Sequence, residues 1–226
     1  MHAQSRPVSS AQTAIHDQLA TVVAKHANTI FRKPFMPYNR DAFEHSMTAW
    51  REAGEPPLIL DAGCGVGLST LHLATQFPDH FVIGVDQSAH RLSRNTLWKP
   101  PLPTNFTRVR ADLIDYWRLL HASGVRPARH YILYPNPWPK IGQLVRRWHG
   151  HPVFPTIAAL GGILECRSNW RIYIEEWATA WTQLTASPME CEIHVPTVAI
   201  TPFEQKYAAS GHQLWRCKTS ATMIVG

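Results

Sequence analysis

The segment at 58–67, which reads Leu-Ile-Leu-Asp-Ala-Gly-Cys-Gly-Val-Gly, constrains the fold of this chain more than any other feature. An apolar run typical of a buried strand ends at Asp61, and a helical pattern begins at Leu68. Between them lie three glycines at alternate positions, Gly63, Gly65 and Gly67. Glycine allows a tight turn and a close approach of a ligand to the main chain, and a helix N-terminus attracts an electronegative group. The segment therefore predicts the first strand, turn and helix of a nucleotide-binding α/β fold.

Strand-like and helical segments alternate along the chain from this point. The sequence predicts strands at 58–61, 81–86, 106–111, 130–135 and 162–167. Helices are predicted between and after them, at 68–76, 88–97, 113–122, 144–160 and 170–185. Two further strands, at 190–195 and 213–218, are joined only by a short helix at 203–209, which indicates an antiparallel pair. We therefore expect a doubly wound, Rossmann-like α/β fold with a seven-stranded, mostly parallel sheet, an antiparallel last strand and helices on both faces.

The residues before this alternation form a separate region of the sequence. Helical patterns cover 11–31 and 41–51, and residues 1–10 are polar and mixed. We predict an N-terminal helical extension at 1–53, partly disordered at 1–10, and a main domain at 54–226.

The composition favours some partners and locations over others. The chain has 22 lysines and arginines against 16 aspartates and glutamates, a formal net charge of +6, which favours a polyanionic partner. No apolar stretch approaches the roughly 20 residues that span a membrane, and the N-terminus lacks the apolar core of a signal peptide. The four cysteines show no C-x-x-C spacing, and the pair His149 and His151 has no acid or cysteine at ligand spacing. We therefore expect a cytoplasmic protein with free thiols, no metal ion and no membrane partner.

Acidic residues end the first three predicted strands. Ligands of open α/β sheets bind beyond the carboxyl ends of the strands, so these acids are candidates for cofactor binding. Asp86 can accept hydrogen bonds from both ribose hydroxyls, a geometry that also serves NAD. Asp112 can accept from the exocyclic amine of adenine, with Leu113 beside the ring. Asp86 and Asp112 are equally placed to cap the following helices, and Asp61 to bind the amides of the glycine turn.

The glycine turn resembles motif I of S-adenosylmethionine-dependent methyltransferases, in which an acid precedes glycines spaced two apart. Its spacing departs from the G-x-G-x-x-G dinucleotide fingerprint, and the lysine of a G-x-x-x-x-G-K-[ST] phosphate-binding loop is absent. The resemblance implies S-adenosylmethionine as the cofactor, with Asp61 at its methionine end.

A stiff turn follows the fourth predicted strand. Residues 135–140 read Pro-Asn-Pro-Trp-Pro-Lys, and three prolines in five positions fix φ and remove amide donors. Such a turn can hold a planar base, and Trp138 can stack on it.

This turn and two later blocks resemble the bacterial tRNA guanine-N(7) methyltransferases, over about Leu58 to Lys218. The family pattern P-D-P-W-P-K appears as residues 135–140, and the arginine pair follows it as Arg146 and Arg147. The family block A-T-D-W appears as residues 167–170. A third family block begins with T-x-F-E, which appears at 201–204, and continues with a glycine-histidine pair at 211–212 and a tryptophan at 215. The resemblance implies transfer of a methyl group to tRNA, cofactor binding by Asp61, Asp86 and Asp112, and an active-site role for Asn136. It implies substrate contacts by Lys140, Asn169, Thr201, Phe203 and Glu204.

The chain departs from the family pattern at functional positions. Asn136 and Asn169 stand where the family has aspartates, and the basic run before Arg146 reads Ile-Gly-Gln-Leu-Val. Guanine N7 carries no proton, so its methylation needs no general base, but a neutral Asn136 stabilises less of the developing positive charge. We therefore expect attenuated activity, with Lys140, Arg146 and Arg147 available to bind tRNA.

Two alternatives stay open, and so does the choice between a monomer and a homodimer. Asn-Pro-Trp also resembles the Asn-Pro-Pro-aromatic turn of methyltransferases that modify exocyclic or side-chain amines. The second alternative is a degenerate paralogue that binds RNA or cofactor without catalysis.

Overall fold

Seven strands form one sheet in the computed structural model, which describes residues 5–94, 98 and 100–220. The strands are β1 (Leu58–Ala62), β2 (Phe81–Asp86), β3 (Phe106–Arg110), β4 (Arg129–Leu133), β5 (Ile163–Ser168), β6 (Glu190–Ile193) and β7 (Trp215–Lys218). Their order across the sheet is β3-β2-β1-β4-β5-β7-β6, and β7 runs antiparallel to both of its neighbours. The predicted seven-stranded, mostly parallel sheet with an antiparallel last strand is confirmed.

Eight α-helices lie within the described residues. They are α1 (Leu19–Ala27), α2 (Pro37–Glu52), α3 (Leu68–Gln76), α4 (Ala89–Leu92), α5 (Leu113–Ala122), α6 (Phe154–Ala159), α7 (Arg171–Thr185) and α8 (Pro202–Ala209). Both ends of α3 and α5 agree with the prediction, because Gly67 and Asp112 mark their starts as N-cap residues. None of the helices in the described part of the chain is long and apolar enough to cross a membrane.

Three predicted helices are shorter in the structure. The helix predicted at 11–31 is reduced to α1, and that at 88–97 to α4, with positions 95–97 outside the described residues. The helix predicted at 144–160 is wrong over its first half, where 3-10 turns at Ile141–Arg146 and Trp148–Gly150 precede α6. At Gly150 a Cβ would lie 2.3 Å from the carbonyl oxygen of Leu144, so the chain turns sharply there. Pro152 then lacks the amide that a continuous helix needs.

The chain forms two compact units. The glycine-turn unit comprises Lys33–Leu133 and Leu160–Leu164. The proline-turn unit comprises the described parts of Met1–Arg32, Tyr134–Ala159 and Glu165–Gly226. The N-terminal helices are divided between them, since α1 belongs to the proline-turn unit and α2 to the glycine-turn unit. Of the residues predicted to be disordered, 1–4 lie outside the described residues, whereas Ser5 and Ser10 make hydrogen bonds within the proline-turn unit.

The core of the glycine-turn unit lies on β1 and β2, in which every residue is buried. Parallel strands that are covered on both faces read as continuous apolar runs, as these do. Helices α2 and α5 pack together through the rings of Phe43 and Tyr116, 5.5 Å apart, and through the hydroxyls of Ser46 and Tyr116, 2.8 Å apart. Every side chain of the two strands that end at the candidate site is therefore enclosed by the fold.

The core of the proline-turn unit is built around α7. Its aromatic and apolar stripe is fully or almost fully buried at Trp170, Tyr173, Ile174, Trp177 and Trp181. Their helical spacing places them on one face of α7, and that face is buried in the core.

Candidate active site

The glycine turn after β1 adopts a left-handed backbone that favours glycine. Gly63, Gly65 and Gly67 have φ of 87°, 58° and 80°. The amides of Gly63 and Cys64 donate to the carbonyl of Val85, at 2.8 and 3.0 Å, which fixes the turn to the end of β2. At Gly67 a Cβ would lie 2.5 Å from Cδ of Arg108, whereas one at Gly65 would meet nothing within 4 Å. The turn is therefore tightly packed on one side and open above Gly65.

Asp61 lies under the turn and is 1% exposed. Its Oδ2 accepts from the hydroxyls of Ser69 at 2.6 Å and Thr70 at 2.7 Å, which attaches α3 to the end of β1. Burial raises the pKa of Asp61 to about 6, although the two hydroxyls favour the charged form. Oδ1 has no hydrogen-bond partner in the described part of the chain.

Asp86, at the end of β2, binds main-chain amides. Its Oδ2 accepts from the Gly65 amide at 3.0 Å, and its Oδ1 from the Ser88 amide at 2.8 Å. Arg91 lies 3.7 Å from the same carboxylate. Ser88, not Asp86, is the N-cap of α4, and an amide of the glycine turn is bound by Asp86 rather than by Asp61. A carboxylate with about four acceptor positions retains capacity for a ligand.

Asp112 is the N-cap of α5 and accepts from the amide of Ile114 at 2.9 Å. Lys33, one of the cations of the N-terminal region, lies 3.2 Å from its Oδ2. Leu113 reaches over the glycine turn, because a Cβ at Gly63 would be only 3.9 Å from Leu113 Cδ1. Asp61, Asp86, Asp112 and Leu113 are therefore gathered around the turn within one unit.

Two residues beside the turn have no signal in the sequence. The Arg108 guanidinium stacks 3.9 Å from the Trp98 ring centroid. Both side chains donate to the carbonyl of Val66, at 3.1 and 3.2 Å. Trp98 is distant from the turn in sequence, and a pattern of strands and helices cannot place it there.

The proline turn at 135–140 is strained and internally hydrogen-bonded. Tyr134 and Trp138, with φ of 53° and 45°, adopt the left-handed region that non-glycine residues rarely occupy. The Trp138 amide donates to Oδ1 of Asn136 at 3.3 Å. This hydrogen bond directs the carbonyl oxygen of Asn136 into the turn. Because the residue is exposed, its NH₂ group remains for a ligand.

A buried cluster of Arg147, His149 and Glu176 supports the proline turn. Arg147 is fully buried, donates to Glu176 at 2.6 Å and donates to the Trp138 carbonyl at 3.2 Å. Burial lowers the pKa of His149, whose neutral ring donates Nε2–H to Glu176 at 2.8 Å. Burial alone would raise the pKa of Glu176, but the hydrogen bonds from His149 and Arg147 and the positive charge of Arg147 lower it to about 2. The structure places Arg147 inside the protein as a support of the turn, because its charge is paired with Glu176.

A second buried carboxylate, Glu204, organises the block at 201–204. Its Oε1 accepts from Tyr134 at 2.8 Å, Arg167 at 2.9 Å and His194 at 3.0 Å. These partners lower the pKa of Glu204 to about 2 against the opposing effect of burial. Thr201, which is also buried, caps α8 by accepting from the Glu204 amide at 2.9 Å.

The remaining predicted substrate residues are accessible. The Arg146 guanidinium lies 4.9 Å from the Trp138 ring centroid, and Lys140 is exposed. Phe203 is 44% exposed, and Asn169 is half-buried with its amide nitrogen 3.2 Å from Nδ1 of His212. An aromatic surface with cations beside it suits a nucleic-acid base and its phosphates.

Comparison with known proteins identifies a family and several relatives of this chain. Residues 55–217 match the model of a family described as "Putative methyltransferase". The chain is 27% identical over 175 residues to a tRNA (guanine-N(7)-)-methyltransferase of Acidovorax sp. (strain JS42), covering 70% of this chain and 66% of the relative. It is 29% identical over 176 residues to the protein of that name from Nocardioides sp. (strain JS614), covering 70% and 65%. The aligned region thus spans slightly less than two thirds of these relatives.

The fold is also similar to a solved structure. That structure is a mutant 16S rRNA (adenine(1408)-N(1))-methyltransferase from Catenulisporales acidiphilia with its cosubstrate SAM. The TM-score is 0.55 at 18% identity, over 79% of this chain and 92% of that one.

Proposed function

The chain belongs to this methyltransferase family, and on that premise we propose that it transfers the methyl group of S-adenosylmethionine to tRNA at guanine N7. The observation that carries the proposal is the gathering of Asp61, Asp86 and Asp112 around an open glycine turn in one unit. The names of the curated relatives and the net charge of +6 support tRNA as the substrate.

The glycine-turn unit fits the proposed cofactor. S-adenosylmethionine supplies an electrophilic methyl group on a sulfonium. Oδ1 of Asp61 would bind the amino group of the methionine end, and Asp86 the ribose hydroxyls. Asp112 would accept from the adenine amine, with Leu113 against the ring. The open space above Gly65 is consistent with a ligand that lies directly on the main chain.

The proline turn would orient the acceptor base. Asn136 offers an NH₂ donor, because its oxygen already accepts from Trp138. This donor suits O6 of guanine, which lies beside N7, and it leaves the N7 lone pair free for in-line attack. Trp138 and Arg146 would stack on the base, and Lys140 would bind a phosphate.

The same hydrogen bond bears on an exocyclic amine as the target. Such a substrate needs Oδ1 of Asn136 as an acceptor, and the Trp138 amide already takes one of the two lone pairs of that atom, so the amine would have to share it with the turn. Asn136 carries no charge, however, so less of the positive charge on the methylated ring would be stabilised than by a carboxylate. Attenuated guanine-N7 activity is therefore the function that the site supports best.

The test is methyl transfer from labelled S-adenosylmethionine to bulk tRNA, followed by analysis of the digested nucleosides. We expect 7-methylguanosine. Methylated adenosine or cytidine would instead support the amine alternative, and cofactor binding without transfer would support a non-catalytic paralogue.

Matched carboxylates provide the control for the cofactor site. Asp86→Asn should weaken cofactor binding in calorimetry, because one of the two oxygens proposed to accept from the ribose hydroxyls becomes an NH₂ donor and the charge is lost. The exposed Asp79→Asn makes the same chemical change away from the turn and should bind as the unmodified chain does. Equal binding by both variants would contradict the assignment.

A further inference from the structure

Three cysteines lie side by side across three neighbouring strands. Cys166 on β5 is directly opposite Cys217 on β7, and Cys217 is directly opposite Cys191 on β6. Directly opposite residues of antiparallel strands point to the same face of the sheet. The Cys191 thiol donates to the Ile174 carbonyl at 3.8 Å, so that face is the one that α7 covers. We call these three residues the thiol row, and it lies within the proline-turn unit.

The thiols of the row are free and in contact with one another. Cys191 is in hydrogen-bonding contact with Cys217, and Cys217 with Cys166. Cys191 is exposed, whereas Cys217 and Cys166 are fully buried. An oxidant from solvent therefore reaches Cys191 first, and the thiol beside it is that of Cys217.

The main-chain ladder determines which two cysteines are closer. His194 continues the register opposite Leu214, and its amide donates to the Leu214 carbonyl at 2.8 Å. Hydrogen-bonded and non-hydrogen-bonded pairs alternate along an antiparallel ladder. Cys191 lies three positions before His194, so Cys191 and Cys217 are a non-hydrogen-bonded pair, with Cα atoms about 4.5 Å apart. The main-chain groups of Cys217 then point to β5, which makes Cys217 and Cys166 a hydrogen-bonded pair, about 5.5 Å apart.

The non-hydrogen-bonded pair suits a disulfide better. A disulfide joins Cα atoms roughly 4.4 to 6.8 Å apart and needs Cβ atoms within roughly 4.5 Å of each other. Side chains of a non-hydrogen-bonded pair approach more closely than those of a hydrogen-bonded pair. Cys191 and Cys217 therefore meet both conditions without movement of the strands.

We propose that Cys191 and Cys217 are a thiol-oxidation site and form a reversible disulfide with a hydroperoxide as the oxidant. The inference goes beyond the proposed methyltransferase function and does not depend on it.

The reaction proceeds in two steps. The Cys191 thiolate attacks the peroxide, the O–O bond breaks, and Cys191 becomes a sulfenic acid while an alcohol, or water from hydrogen peroxide, leaves. The Cys217 thiol then attacks the Cys191 sulfur, and the S–S bond forms as the hydroxyl group leaves with the Cys217 proton as water. Two thiols are oxidised, and one hydroperoxide is reduced. A dithiol reverses the modification by exchange.

The disulfide would close the segment 192–216, which contains α8 and the block at 201–204. Closing a loop of this length constrains the unfolded chain, so the midpoint of thermal unfolding should rise by roughly 5 to 15 °C. Hydrogen bonding to Cys217 and burial raise the pKa of Cys191, so little thiolate is present at neutral pH and the oxidation is slow there.

Peptide mapping of the folded, full chain tests the proposal. The protein is treated with hydrogen peroxide at about pH 9, where more thiolate is present, and is then unfolded and alkylated with N-ethylmaleimide. Digestion and mass spectrometry should find one linked peptide pair, Cys191 with Cys217, within a single chain. Cys64 and Cys166 should carry the alkyl group, and dithiothreitol should release the pair.

Cys191→Ser is the matched variant, because the residue is exposed and serine keeps its size. It should form no linked pair, and oxidation should leave its unfolding midpoint unchanged. Cys64→Ser makes the same chemical change in the glycine-turn unit and should still form the pair and gain stability on oxidation.

Four results would overturn the proposal. They are four alkylated cysteines after oxidation, a sulfinic or sulfonic Cys191 without a linked peptide, two chains joined through Cys191, and a link from Cys166 to Cys217. None of them depends on methyl transfer, so the proposed function stands or falls separately.

Discussion

The buried cluster of Arg147, His149 and Glu176 determines how firmly the proline turn is held. Replacing Glu176 with glutamine keeps the size of the side chain and removes the charge that faces Arg147 at 2.6 Å. Arg147 would then remain fully buried without its ionic partner. Because Arg147 also donates to the Trp138 carbonyl, the variant should loosen the turn as well as destabilise the fold.

The magnitude follows from two independent considerations. A pKa lowered from 4.5 to about 2 corresponds to about 3 kcal/mol of interaction with the charged carboxylate. Removing one partner of a buried pair typically costs about 3–5 kcal/mol. The folded-state pKa lies below the unfolded one, so this stability is present above pH 4.5 and is lost as the pH falls toward 2.

Urea unfolding followed by tryptophan fluorescence measures the effect. At pH 7 Glu176→Gln should lower the free energy of unfolding by about 3 kcal/mol or more, and it should lose less stability than the unmodified chain between pH 4.5 and 2. Glu175→Gln, one position away on α7, removes only an exposed pair and should change stability by less than about 1 kcal/mol. A Glu176→Gln variant as stable as Glu175→Gln would refute the reasoning.

Three further predictions concern the site. Asn136→Asp keeps the acceptor for the Trp138 amide and adds a negative charge. The kcat for methyl transfer to tRNA should therefore rise on the order of 10²-fold. An unchanged kcat would mean that residue 136 does not face the reacting ring. In Gly67→Ala the alanine would have to adopt φ of 80°, and its Cβ would lie 2.5 Å from Arg108. The midpoint of thermal unfolding should therefore fall by several degrees, and cofactor binding should weaken. Gly142→Ala is the control, because its Cβ would lie in open space and the midpoint should not change. The pKa of Asp61 is raised to about 6, so its protonation stabilises the folded state as the pH falls from 6 toward 4. Urea titrations over this range should show that Asp61→Asn removes this gain in the free energy of unfolding. A parallel pH dependence in both proteins would count against the raised pKa.

Much of the fold could be predicted because the residues that mark the ends of helices and strands in the sequence agree with the strand pairing in the sheet. Gly67 and Asp112 mark the starts of α3 and α5, and continuous apolar runs mark β1 and β2. The helix predicted at 144–160 was wrong because Gly150 packs against a carbonyl six residues earlier. Such a contact is absent from the periodicity of the sequence.

The sequence predicts which residues are candidates for the site, but not which of their side chains are buried. The arginine pair reads as two equal cations, yet Arg146 is exposed on Trp138 and Arg147 is fully buried. The difference arises from Glu176, which lies 29 residues later on another helix. Glu204 is likewise buried by partners on three other segments.

The carboxylate of Glu204 has a consequence for how the proline-turn unit opens. It joins Tyr134, Arg167, His194 and the amide of Ile200 through four hydrogen bonds to a single side chain. No one of these segments can leave its place without exposing a buried charge or its partners. Amide protons in β5 and α8 should therefore exchange with solvent at a common rate, in a single cooperative opening rather than by separate fraying of the two elements.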